Sequence, residues 1–136
     1  MANRSVPADD GERGSAVVDF VMVSILIVTL LLAVLQVAVY VHVRNVVTAS
    51  AQAGARYAAN ADVDSAIGAA RTVEVVARAT STQTAEGLAC TSGEEADPSG
   101  LTLVVVRCTG SVPALLASLG NLLPLEVTGR AVKEGA

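Results

Sequence analysis

Residues 12–44 read ERGSAVVDFVMVSILIVTLLLAVLQVAVYVHVR, and the reading of this stretch decides the fold. A lone carboxylate, Asp19, stands just inside its apolar part. From there to Arg44 no Asp, Glu, Lys or Arg interrupts 24 residues. At about 1.5 Å per residue a helix of that length reaches about 36 Å, enough to cross a hydrocarbon core of about 30 Å with some tilt. The sequence holds a single segment of this kind and reads as a single-pass membrane protein. A mean hydropathy of +0.56 over the 136 residues agrees, being too high for an ordinary soluble chain.

Outward from the apolar run the two flanks differ. Residues 1–14, MANRSVPADDGERG, are polar, contain Pro7 and two glycines, and have no apolar period, so they read as a disordered leader. Downstream the helical pattern continues through NVVTASAQAGARYAAN, with Val46, Val47, Ser50, Ala53, Gly54 and Tyr57 at spacings of three and four. One helix over 15–60, with its membrane portion at about 20–43, is the economical assignment. Ala49, Ala53, Gly54 and Ala58 form a small-residue stripe that admits close approach, either by another helix or by the chain's own domain. Within the run, Ser24 and Thr29 are expected to bond back to their own helix, Gln36 to mark a helix contact, and Tyr40 and His42 to lie at the membrane edge.

The remaining residues, 61–136, form a small domain. Asn60 and Asp62 offer a break and a cap for a second helix over 62–80, with Val63, Ile67, Ala70, Val73 and Ala77 as its apolar stripe. SGEEADPSG, 92–100, reads as a turn region, and Asp97-Pro98-Ser99-Gly100 suits a type I turn. LTLVVVRC, 101–108, reads as a strand and PALLASLG, 113–120, as a short helix. In LEVTGRAV, 125–132, Leu125, Val127 and Ala131 alternate with Glu126, Thr128 and Arg130, the mark of a half-buried strand. The fold class is therefore α+β: a long N-terminal transmembrane helix, then a small domain with a second helix and a short antiparallel sheet.

Chemistry is sparse. A net charge of −4, one Phe, two Tyr and no Trp leave nucleic-acid binding without a basic patch or stacking platform. No base stands near a candidate nucleophile, no phosphate loop occurs, and no metal or cofactor site is legible, so an enzyme is not expected. Cys90 and Cys108 have 17 residues between them. In a small exported domain a disulfide is the natural reading, and a loop of that size stabilises by about 3 kcal/mol. A turn at 97–100 would set the two cysteines across a hairpin. Free thiols and half of a metal site are the alternatives, although the one histidine, His42, is at the membrane edge.

Three readings compete for the front of the chain. A cleaved secretory signal would supply small residues such as TASAQAG, but the apolar core is too long and Arg44 intervenes. A plain membrane anchor explains the length and leaves Asp19 and the Gly14-Ser15 step unexplained. Arg13-Gly14-Ser15, the Asp19-Phe20 pair, the apolar run and AGARYAA at 53–59 together resemble the TadE-like proteins of the tight-adherence (Tad/Flp) pilus system. Their start carries a type IV prepilin-like signal. PLEVTGRAVKE near the end is similar to the family's C-terminal strand.

The resemblance implies cleavage after Gly14 by a membrane-embedded prepilin peptidase, leaving Ser15 first and Asp19 fifth. It implies that Asp19, with Phe20, serves subunit assembly by pairing with the amine of a neighbouring subunit. The family more often has Glu at that fifth position; Asp is one methylene shorter. Implied partners are the peptidase, other Tad pilins or pseudopilins, the inner-membrane assembly platform and the lipid bilayer. The N-terminus would be cytoplasmic and the cysteine-bearing domain outside, in a minor pseudopilin-like component of a Tad-type adhesion pilus or secretion apparatus. The competing expectation is an unprocessed, membrane-anchored exported binding domain.

Overall fold

The computed structural model describes Ala2, residues 10–112, 114–115 and 123–135. Its elements run α1 (Asp10–Ala58), α2 (Ile67–Ala79), α3 (Thr82–Glu86), β1 (Ala89–Ala96), β2 (Thr102–Val112) and β3 (Leu123–Val132). The architecture is α+β, with one long apolar helix, further helices and a three-stranded antiparallel sheet in the order β1-β2-β3. Two units divide the chain, Met1–Leu35 and Gln36–Ala136; the second is called the head here.

In the head, α1 lies on one face of the sheet. Val43, Val47, Ser50, Ala51, Gly54, Ala55 and Ala58 are buried, at helical spacing. They meet the inward residues of β2 and β3: Val104, Val106, Cys108, Val112, Leu125 and Val127. Among the described residues the largest fully buried side chains are valines, Thr72 and Cys108, so the core is thin and depends on close approach. Two glycines set that approach. A Cβ on Gly129 of β3 would collide with the Ala51 carbonyl and sit 2.6 Å from the Gln52 nitrogen. One on Gly54 would fall on Thr72 Oγ1 and 2.6 Å from the Gly68 carbonyl oxygen, which fixes the crossing of α1 and α2. Of the small-residue stripe, Gly54 and Ala58 thus serve the head's own packing, while Ala49 and Ala53 stay exposed.

Several expectations need correction. α1 begins at Asp10, so residues 10–14 of the expected leader are helical; the rest of that leader, Ala2 apart, lies outside the described residues. α2 starts at Ile67 rather than 62, and neither Asn60 nor Asp62 caps it. Its N-cap position, Ala66, has no capping side chain of its own. The cap comes from β1: Ser92 Oγ accepts from Ala69 N at 3.0 Å and donates to Ala66 O at 2.9 Å. The buried face of α2 is Gly68, Thr72 and Val76. Val73 and Ala77 flank it half-buried, while Ile67 and Ala70 face outward. Residues small enough to meet α1 won this face over the larger apolar ones.

The sheet follows its pairing. β1 claims Ser92–Ala96, part of the expected turn region, because it pairs in register with β2 from Ala89↔Thr109 to Ala96↔Thr102. The turn itself is Asp97–Gly100: Gly100 N donates to Asp97 O at 2.8 Å, and Gly100 takes φ +86°. In β3 Leu125 and Val127 point inward with Ala131 half-buried, and Glu126 and Arg130 point out, as the alternation predicts. Cys90 pairs with Cys108 in the hairpin register and the two are disulfide-bonded. Among the 113–120 expected helix, Ala114 and Leu115 are not helical and the others lie outside the described residues.

The C-terminal end of α1 is closed from far along the chain. Lys133 Nζ donates to Ala58 O (3.0 Å), Asn60 O (3.2 Å) and Val63 O (2.6 Å). Carbonyls at a helix end lack internal partners, and a cation there also meets the negative end of the helix dipole.

Candidate functional site

Within the first unit α1 carries the residues singled out in the sequence. From Arg13 to Leu35 no described side chain is buried. Phe20 is 73% exposed, Ile25 62% and Leu30 59%. Each such side chain gains about 1.5–3 kcal/mol on leaving water, so a run of them exposed all round suits an apolar environment. A helix satisfies its own backbone hydrogen bonds, which makes it one of the two structures able to sit in lipid. Thr29 follows the same logic, its Oγ1 donating to Ile25 O at 2.8 Å. α1 is long and apolar enough to cross a membrane.

Gly14, Ser15, Asp19 and Phe20 all lie on α1, exposed. Ser15 and Asp19 are four apart and share a helix face, with Phe20 beside them. A Cβ built on Gly14 meets nothing within 4 Å. Packing therefore gives no reason for a glycine at that position.

The head takes hold of α1 before the apolar run ends. Gln36 is buried and its Oε1 accepts from Leu115 N at 2.5 Å. The contact expected of Gln36 is thus with its own head. Tyr40 Oη donates to Pro124 O at 3.1 Å, while His42 is exposed. Gln36, Val37, Tyr40 and Leu123 surround an apolar hollow of about 120 Å³. The uncharged run of 20–43 therefore does not serve the membrane alone: from Gln36 one side of it belongs to the head's core. Sequence reasoning missed this because lipid and a protein core select the same side chains.

On the outer face of the sheet, Glu95 and Arg107 form an ion pair across the hairpin. Arg107 holds the Glu95 carboxyl below its ordinary value through their hydrogen bond and charge, and Glu95 raises the Arg107 guanidinium in return. The register places Gly93 and Val105 between them, and Val105, only 3% exposed, is sheltered there. With Cys90 and Cys108 bonded to each other, their thiolates are not offered to a metal.

Among the described residues these features define one membrane-competent apolar helix and a small disulfide-bonded α+β head. The family model described as TadE-like protein matches residues 14–56, from Gly14 through the apolar run to within two residues of the end of α1. Over that segment, about a third of the chain, it is similar to TadE-like proteins, and the segment contains Gly14 and the Asp19-Phe20 pair. The comparisons with curated proteins and with solved structures each returned no match.

Proposed function

We propose that this chain is a non-enzymatic, minor pseudopilin-like component of a Tad-type pilus or secretion apparatus. It is matured by a prepilin peptidase after Gly14 and held in the membrane by α1, with its N-terminus cytoplasmic and its head outside. The observation that carries the reading is a coincidence of three limits. The TadE-like match starts at Gly14, the exposed apolar surface of α1 starts just after it, and the acid lies five residues on. The absence of any packing reason for Gly14 adds to this. Its missing side chain suits a narrow protease cleft.

The assembly role given to Asp19 rests on electrostatics. A carboxylate near the membrane interior costs up to about 2.5–3.5 kcal/mol at a helix centre and less toward the edge. Pairing with the new amine of a neighbouring subunit offsets that cost where lipid lowers the dielectric. Partners on this reading are the peptidase, other Tad pilins or pseudopilins and the assembly platform. Gly14→Ala is expected to abolish shortening of the chain on a gel. Asp19→Ala is expected to leave shortening intact and abolish pilus assembly. Normal pili in the Asp19→Ala strain would overturn the pairing.

One observation favours a second reading, an unprocessed membrane-anchored exported binding domain. The Gly14-Ser15 peptide is helical in α1, and a protease must first unwind it. An uncut chain in a host whose other prepilins are cut would establish this reading instead.

A further inference from the structure

Beyond Leu35 the two sides of α1 have different fates. Gln36, Val43 and Val47 turn into the head, with Tyr40 half-buried beside them. Beside them Val37 and Val41 remain exposed at 63% and 48%, and the same stripe runs on to Arg44. An apolar stripe that ends on an arginine has the order of a helix leaving a membrane, where a long cationic side chain reaches the headgroups. The part of the head packed here is equally uncharged. Leu115 is 50% exposed, Leu123 is half-buried at the hollow with Val37 and Tyr40, and no charged residue occurs in 36–43, 108–115 or 123–125.

We infer that this uncharged end of the head, formed by Val37, Val41, Leu115 and Leu123, is seated in the headgroup layer of the bilayer that α1 crosses. The inference rests on the membrane reading of α1 given above and adds a second lipid contact, made by the folded domain itself. Continuity of the sequence names the occupant: the run without Asp, Glu, Lys or Arg at 20–43 passes from the spanning residues into Val37 and Val41 without a break. Lengths agree. Residues 15–35 rise about 31 Å as a helix, matching a hydrocarbon core of about 30 Å. Val41 then lies about 9 Å further on, comparable with a polar layer of about 5–7 Å on each side. Tyr40, an amphipathic ring with its hydroxyl bonded to Pro124, suits that layer.

The chain contains no tryptophan, so single tryptophans report depth without background. Full-length protein carrying Leu115→Trp, Val37→Trp, Ile27→Trp or Leu101→Trp is reconstituted into phosphatidylcholine vesicles. The lipids are brominated near either the glycerol end or the methyl end of the acyl chain. All four positions are exposed, and Leu101 lies just before β2 at the end opposite Leu115. The expected result is loss of most emission at positions 115 and 37 with bromine near the glycerol end. Position 27 loses its emission with bromine near the methyl end, and position 101 keeps its own. Emission at 115 and 37 as insensitive as at 101, with 27 quenched, overturns the seating and spares the membrane reading. No quenching at 27 overturns both. Equal quenching at 101 and 115 shows unspecific adhesion of the head and also overturns the proposal.

Discussion

Gly129→Ala tests the packing on which the head depends. The added methyl carbon would overlap the Ala51 carbonyl and approach the Gln52 nitrogen to 2.6 Å. Both neighbours are backbone atoms in the C-terminal part of α1, so no side-chain rotation relieves the contact; either the helix or β3 must shift. Overpacking costs about 1–3 kcal/mol, and backbone neighbours put this site at the upper end. In a domain of this size each kcal/mol lowers Tm by about 4–8 °C, so about 3 kcal/mol corresponds to a fall of about 12–24 °C. The assay is calorimetric unfolding of the full chain in detergent. Gly93→Ala serves as the control, since a Cβ there meets nothing within 4 Å. That variant should leave Tm unchanged or slightly raised, because alanine gives up less conformational freedom on folding. A Gly129→Ala protein melting with the Gly93→Ala protein would refute the contact between α1 and β3, and with it the arrangement of the head.

Other expectations follow from the same contacts. Replacing both Cys90 and Cys108 by alanine should cost about 3 kcal/mol in loop entropy, read as a Tm fall of about 12 °C or more; an unchanged Tm would mean that the valine core suffices alone. Lys133→Met leaves the carbonyls of Ala58, Asn60 and Val63 without their shared donor. Hydrogen bonds to a charged group are worth about 1.5–3 kcal/mol, less here because the site is partly open. Faster amide exchange at 55–63 should report the freed helix end, and unchanged exchange would refute the role. The Glu95 carboxyl is lowered when folded, so its pairing contributes above the ordinary carboxylate value and is lost as pH falls through the lowered one. Tm against pH should therefore fall more steeply in acid for the native chain than for Glu95→Gln, by a small and salt-sensitive amount; parallel curves would refute the linkage.

What could be read in the sequence was whatever a simple period or a covalent constraint expresses. The uncharged run defines α1, the alternation of Leu125, Val127 and Ala131 defines the inner face of β3, and the turn at 97–100 sets the register that joins Cys90 to Cys108. What escaped was set by partners far along the chain. SGEE looks like a loop, yet Ser92 is held in β1 by pairing with Val106 and caps α2 across 23 residues. The inner face of α2 went to Gly68 and Thr72 because Gly54 draws the helices close, a demand that no hydrophobicity pattern records. Lys133 reaches back 75 residues to Ala58, and nothing local to a charged residue beside a strand end announces that. The limit between membrane segment and head was hidden for a different reason. Gln36 and Tyr40 stand in an apolar context that serves both environments, and it is their hydrogen bonds to Leu115 and Pro124, with their packing, that assign them to the head.

The central claim is that α1 is retained as a membrane-held assembly helix after the residues before Ser15 are removed. N-terminal sequencing of the protein isolated from native membranes tests it most directly. The account predicts a chain that begins Ser15-Ala16-Val17-Val18-Asp19. Recovery of chains that still carry Gly14 and the residues before it, from cells whose pili assemble normally, would contradict it.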